Sequence, residues 1–305
     1  MIDILSKRYL YFAISLLVIL PGIVLLGISG LPLSIDFTGG SLLEVQLEPD
    51  KGLNTIEIIT LYEEAGIDDA QVTTTDAETL VIRSSFLTNE IRDSVLTAMR
   101  EKAQSEIDVI RFDSVGPTIG RQVASRAALA VGFAALAVII YITIAFRKVA
   151  NAFRYGVCAV IAMIHDVAIV FSVAGIGAIL FNWQMDALFL TALLTVIGFS
   201  VQDKIVVFDR IRENSTLLRR LEYEKLVNHS IVQTLQRSIN TQLMTVEFLL
   251  LALALFGGVT LQEFAVILLV GLFSGTYSSI FIAAPILVLW ENREWTSWFR
   301  RGSAA

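Results

Sequence analysis

Four ionisable side chains stand out in or at the ends of apolar stretches of this 305-residue sequence: His165, Asp166, Asp203 and Arg237. Charged groups at bilayer depth are costly and as a rule functional. A buried acid can take up and release a proton, whereas an arginine stays charged at any working pH. Asp203 and Arg237 therefore read as a switch. With the guanidinium close, the acid is held ionised; with it withdrawn, the acid binds a proton. Alternating these states toward opposite sides of a membrane would couple ion flow to movement. The plainer reading is that the pair pins two helices together.

His165 and Asp166 are adjacent, so on a helix they point about 100° apart. Asp166 reads either as a relay group or as a polar anchor, and His165 as a satisfied interior polar residue. Lys204 is expected to snorkel toward the interface, with pairing to Asp166 or Asp203 as the alternative. Glu247 is either a further proton site or a group bonded to Thr or Gln in the bundle. Cys158 is the only cysteine, so an intrachain disulfide is excluded. The histidines, His165 and His229, are too few and too far apart for a zinc motif. No metal or organic cofactor is expected. No nucleophile constellation and no Gly-x-x-x-x-Gly-Lys loop is present, so neither an enzyme nor an ATP-driven machine is expected.

These side chains need helices to hold them. Hydrophobic residues make up 55% of the chain, charged residues 17%, and mean hydropathy is +0.70. That is more apolar than a soluble domain. A net charge of -6 argues against nucleic acid as partner. Six apolar segments reach spanning length, near residues 9–28, 123–146, 155–180, 187–208, 241–257 and 264–290. The first is preceded by Lys7 and Arg8 and is too long for a cleavable signal core. Basic residues cluster beside three connections: Arg147, Lys148 and Arg154; Arg210, Arg212, Arg219, Arg220 and Lys225; Arg293, Arg300 and Arg301. The turns at 182–186 and 257–263 hold none. The positive-inside rule then puts both termini in the cytoplasm and residues 31–121 outside.

The division expected is residues 1–30 as first span, 31–121 as outer domain, 122–292 as the other five spans, and 293–305 as tail. Within the third part, residues 209–240 read as a solvated helix along the cytoplasmic face. The outer domain reads β-α-β-β-α-β, a ferredoxin-like order. Strands fall at 42–47, 71–75, 80–84 and 107–115, and helices at 54–65 and 88–103. Asn54 with Glu57 and Thr88 are the candidate caps, and Gly66 the stop. Gly39, Gly40, Gly116 and Pro117 lie at its two joints, as connectors or as hinges. Gly271 and Gly275 have the small-xxx-small spacing of close helix packing.

Several strings recur in order along the chain. They are Ser34-Ile35-Asp36-Phe37-Thr38-Gly39-Gly40, Ser114-Val115-Gly116-Pro117-Thr118-Ile119-Gly120 and His165-Asp166. Further on come Val196-Ile197-Gly198-Phe199-Ser200-Val201, Phe208-Asp209-Arg210-Ile211-Arg212-Glu213-Asn214, Arg237-Ser238-Ile239-Asn240-Thr241 and Gly275-Thr276-Tyr277-Ser278-Ser279. Together they resemble the SecD/SecF family of protein-export membrane subunits, on its SecF side, within the RND-like superfamily. The resemblance covers nearly the whole chain. It departs at Gln202 and Lys204, where the family usually reads Asn and Thr around the aspartate, and at Glu247, usually neutral.

The resemblance implies a subunit that works with SecD and the SecYEG channel on an emerging preprotein chain. YajC, YidC and membrane lipid are further partners it implies. H⁺ or Na⁺ would be the coupling ion and the bacterial inner membrane the location. It also puts the functional acid and arginine at Asp203 and Arg237. A scaffold without ion coupling, and half of an RND-type small-molecule or lipid transporter, are the alternatives.

Overall fold

The computed structural model describes residues 3–47, 53–75, 79–147, 152–242, 248–256 and 259–293. The chain divides into two compact units, one of residues 1–32 with 129–305 and one of residues 33–128.

The first unit opens with a single turn at Leu5–Lys7 and then α1, Arg8–Ser29. In the second unit a one-turn α2 (Ile35–Thr38) leads to β1 (Gly40–Gln46), α3 (Thr55–Glu64), β2 (Gln71–Thr75), β3 (Thr79–Ser84), α4 (Asn89–Ala103) and β4 (Asp108–Val115). The four strands form one antiparallel sheet in the order β2-β3-β1-β4. Strand alternation sends Leu43 and Val45 of β1 and Leu80 and Ile82 of β3 into the core. There they meet Ile58, Leu61 and Tyr62 of α3 and Val95, Leu96 and Met99 of α4. The Tyr62 hydroxyl is buried without a partner, and burial pushes its pKa well above the usual phenol range. Local signals behave as their chemistry demands. Asn54 N donates to Glu57 Oε2 at 3.0 Å, Thr88 Oγ1 accepts from Ile91 N, and Gly66 follows α3 with φ +82°.

Gly39 carries φ +78° and ψ 163°, a region open essentially to glycine alone. A Cβ there would stand 2.6 Å from Pro117 Cα, and one on Gly120 would stand 2.5 Å from Gly39 N. Within this unit the two joints are therefore packed backbone on backbone. Gly39→Ala is expected to cost about 1–3 kcal/mol of stability. Chemical unfolding of the full chain, followed by hydrogen exchange at β1 and β4, checks this; unchanged protection would refute it.

The first unit resumes within α5 (Pro117–Ala145) and continues through α6 (Ala152–Phe181), α7 (Ala187–Leu217), α8 (Tyr223–Gln242), α9 (Phe248–Phe256) and α10 (Val259–Ser278). A π-helical segment at Ser279–Ala283 then passes into α11 (Ala284–Glu291). The π turn has a local cause. Pro285 lacks the N–H that would bond the Phe281 carbonyl and crowds it, so the preceding turn widens. Five helical stretches are long and apolar enough to cross a membrane among the described residues: Leu5–Ser29, Pro117–Ala145, Ala152–Phe181, Ala187–Leu217 and Leu261–Glu291.

Several expected boundaries move. α5 begins at Pro117 rather than 123, since proline is suited to the first helical position. α7 runs nine residues past 208, and α10 starts at Val259, so residues 259–263 are helix rather than turn. Of the segment expected at 241–257, residues 248–256 are described as α9, while Glu247 lies outside the described residues. The stretch 209–240 is not a solvated surface helix. Ile211 of α7 and Leu226, Val227 and Ile231 of α8 are buried in one core. Asn214 Nδ2 donates to Ser230 Oγ at 2.8 Å and to Gln233 Oε1 at 2.9 Å. The Ile4 amide donates to Asn228 Oδ1, and Arg8 pairs with Glu224 at 2.7 Å. The charges that suggested a solvated helix occupy one face; an apolar stripe fills the other.

Candidate functional site

Among the described residues two carboxylates are buried in the helical unit, Asp166 of α6 and Asp203 of α7. Close helix packing makes room for them. A Cβ on Gly271 of α10 would stand 2.2 Å from Val196 of α7, and one on Gly275 would stand 3.2 Å from Ser200 Cα. The glycines let α10 lie tight against α7, so short serine side chains can span the gap.

Asp166 is wholly buried and fully engaged. Its Oδ2 accepts from Lys204 Nζ at 2.8 Å, Ser200 Oγ at 2.6 Å and Ser278 Oγ at 2.7 Å. Its Oδ1 accepts from Ser274 Oγ at 2.7 Å and lies 3.1 Å from His165 Nδ1. Lys204 Nζ also donates to the Ser200 carbonyl at 3.1 Å and to Ser200 Oγ. Lys204 does not snorkel; its side chain has no exposure at all. The reason is geometric: Ser200 and Lys204 are four apart on one face of α7, and that face looks at Asp166. His165 stacks on Tyr277, with ring centroids 6.1 Å apart, while its Nε2 is buried with no partner among the described residues. The ring is thus an interior group engaged at Nδ1, where it meets Asp166.

Asp203 lies one residue earlier on α7, so it points to another side of the helix. Its Oδ1 accepts from Ser238 Oγ of α8 at 3.0 Å and its Oδ2 from Ser279 Oγ at 3.2 Å. Among the described residues no cation lies within ion-pair distance of it. Arg237 is not at its side: the side chain is exposed, and the neighbouring Ser238 faces the acid instead. Arg237 sits near the end of α8 rather than at the start of a spanning helix. Asp203 is fourteen residues from the end of α7, about 21 Å along the axis. No group of three or more His, Cys, Asp or Glu among the described residues is placed to hold a metal ion.

Residues 95–293 match the family described as Protein export membrane protein SecD/SecF, C-terminal, and residues 24–51 match the SecD/SecF GG motif. The chain belongs to the SecD/SecF family. It is 67% identical to a protein translocase subunit SecF of Anaerolinea thermophila, over 99% of this chain and 98% of that one. It is 44% identical to a SecF subunit of Thermobaculum terrenum, over 99% and 98%. A crystal structure of SecDF from Thermus thermophilus, described as a translocon-associated membrane protein, superposes with a TM-score of 0.81 at 33% identity. That match covers 95% of this chain and 39% of the SecDF chain.

In this SecD/SecF chain the GG motif contains Gly39, packed against Gly116, Pro117 and Gly120, and Gly40, where a Cβ would stand 2.7 Å from the Ser84 carbonyl oxygen. Five serines that hold the two acids were not singled out in the sequence: Ser200, Ser238, Ser274, Ser278 and Ser279. A signal existed for three of them. Ser200 with Lys204, and Ser274 with Ser278, each stand four apart, placing two polar groups on one face of an otherwise apolar helix.

Proposed function

We propose that this chain is an accessory subunit of the Sec protein translocase, working with SecD and the SecYEG channel to promote late, ATP-independent export. In this reading Asp203 is the group that exchanges a proton, and Arg237 is its switching counter-charge. The observation that carries it is the setting of Asp203: buried in a membrane-spanning helix, held by two serine hydroxyls, with no cation beside it among the described residues. The exposed position of Arg237 corresponds to the withdrawn arm of the switch. Asp166 is already neutralised by Lys204, which leaves Asp203 as the exchangeable acid.

A partner of the SecD type is supported by relatives in which both halves form one chain. The SecDF proteins of Thermus thermophilus and Bacillus subtilis match over 87% and 96% of this chain, which covers 35% and 38% of theirs. We place the chain in the bacterial cytoplasmic membrane with six spans, the fifth near 241–257, and both termini inside. The outer domain, residues 31–121, then belongs to the ferredoxin-like class; its element order and the strand order β2-β3-β1-β4 support this.

The test is export of a reporter protein into the lumen of inverted vesicles, with and without a collapsed proton gradient. Asp203→Asn is expected to export at the rate the wild type shows after collapse. Gradient-dependent export at the wild-type rate by Asp203→Asn would remove the coupling role. A scaffold for SecD and the channel is the second reading, favoured by the immobilised Asp166–Lys204 pair.

A further inference from the structure

We propose that Asp166, Ser200, Ser274 and Ser278 form an alkali-cation site, and that the tethered ammonium of Lys204 is its resident cation. Among the described residues the Lys204 Nζ donates to three oxygens: Asp166 Oδ2 at 2.8 Å, the Ser200 carbonyl at 3.1 Å and Ser200 Oγ. A carboxylate, a hydroxyl and a main-chain carbonyl are the hard oxygen donors that alkali ions take. Ser274 and Ser278 hold that carboxylate in place by donating to the two Asp166 oxygens at 2.7 Å each. Every one of these side chains is buried, and the donors come from three helices, α6, α7 and α10. One negative charge faces one positive charge, so the station is neutral with the amine in place and carries an unpaired anion without it.

Lys204 then acts as a specificity-determining residue. Its four-carbon stem delivers a cation that cannot leave, which closes this station to sodium and potassium. An ammonium is closest in size to potassium, so an emptied site takes potassium before sodium. The titratable or charged groups that face Asp166 are Lys204 and His165. The inference concerns the Asp166 station alone and does not rest on proton exchange at Asp203.

The experiment uses the purified full chain in detergent. Thermal unfolding is followed in potassium, sodium and choline chlorides at equal ionic strength. The wild type is expected to show the same Tm in all three. Lys204→Ala is expected to unfold several degrees lower in choline, and to regain most of that loss as potassium, then sodium, is titrated to saturation. Asp166→Asn/Lys204→Ala is expected to lose this response. A Lys204→Ala protein indifferent to the cation, or a double variant that responds equally, overturns the proposal. So does failure of Lys204→Ala to fold at any potassium concentration, because a vacated cation site would be refilled. Because the readout is ion-dependent stability of the isolated chain, its failure is separable from any failure of the export assay.

Discussion

Asp166→Ala is expected to lower the stability of the helical unit by about 3–5 kcal/mol, the loss that follows when one partner of a buried ion pair is removed. Lys204 would keep its ammonium at zero exposure with no anion to meet it. The hydroxyls of Ser200 and Ser274 would lose their acceptor at the same time, while Ser278 keeps the Gly275 carbonyl at 3.1 Å. Each such orphaned donor adds about 1 kcal/mol or more when water cannot reach it. Removing both charges is far milder, because a buried pair contributes little beyond an apolar pair of the same shape. Asp166→Ala/Lys204→Met should therefore recover most of the loss. A double-mutant cycle on unfolding in mixed micelles reads the coupling directly. Equal instability of the single and double variants would show that the cost lies in packing and not in the pair.

Gly22→Leu is the second large effect. α1 crosses α6 where a Cβ on Gly22 would stand 2.1 Å from the Ser172 carbonyl oxygen. The obstructing atom is main chain and cannot rotate away. On the facing side a Cβ on Gly175 would stand 3.0 Å from the Gly22 carbonyl, so both helices are thinned at one level. Ser172 Oγ uses this approach to donate to the Val18 carbonyl at 2.8 Å. Pro21, next to the contact, already removes one backbone donor from α1. Overpacking costs about 1–3 kcal/mol where side chains can move, and the upper end of that range is expected here. Cysteine cross-linking between α1 and α6 gives the readout. Gly22→Leu should abolish cross-links that Gly22→Ala only weakens; retention of full cross-linking by Gly22→Leu would refute the account.

Much of the scaffold was legible because it is written in periodicity. Alternation at 42–47 marked the strand that β1 forms, and the caps at Asn54 and Thr88 mark the starts of α3 and α4. The long apolar runs marked five of the spanning helices, since burial in lipid demands length. What was not legible depends on rotation about helix axes. Lys204 was expected to reach outward because lysines near helix ends do so. α7 continues to Leu217, which leaves Lys204 deep in the helix and turned to Asp166. Arg237 was expected beside Asp203 from their places in the apolar pattern and from the family resemblance. One residue of helical phase decides otherwise, and Ser238 takes the place. The stretch 209–240 misled for a related reason. Its charges are conspicuous, whereas Leu226, Val227 and Ile231 form an apolar stripe that only the facing core makes visible.

The peptide joining Ser278 to Ser279 has a mechanical meaning. Ser278 closes α10 and holds Asp166, while Ser279 opens the widened π turn and holds Asp203. Two acids on different helices thus hang from neighbouring rungs of one ladder. A displacement that parted Ser278 from Asp166 would therefore act one peptide away from the Ser279–Asp203 bond.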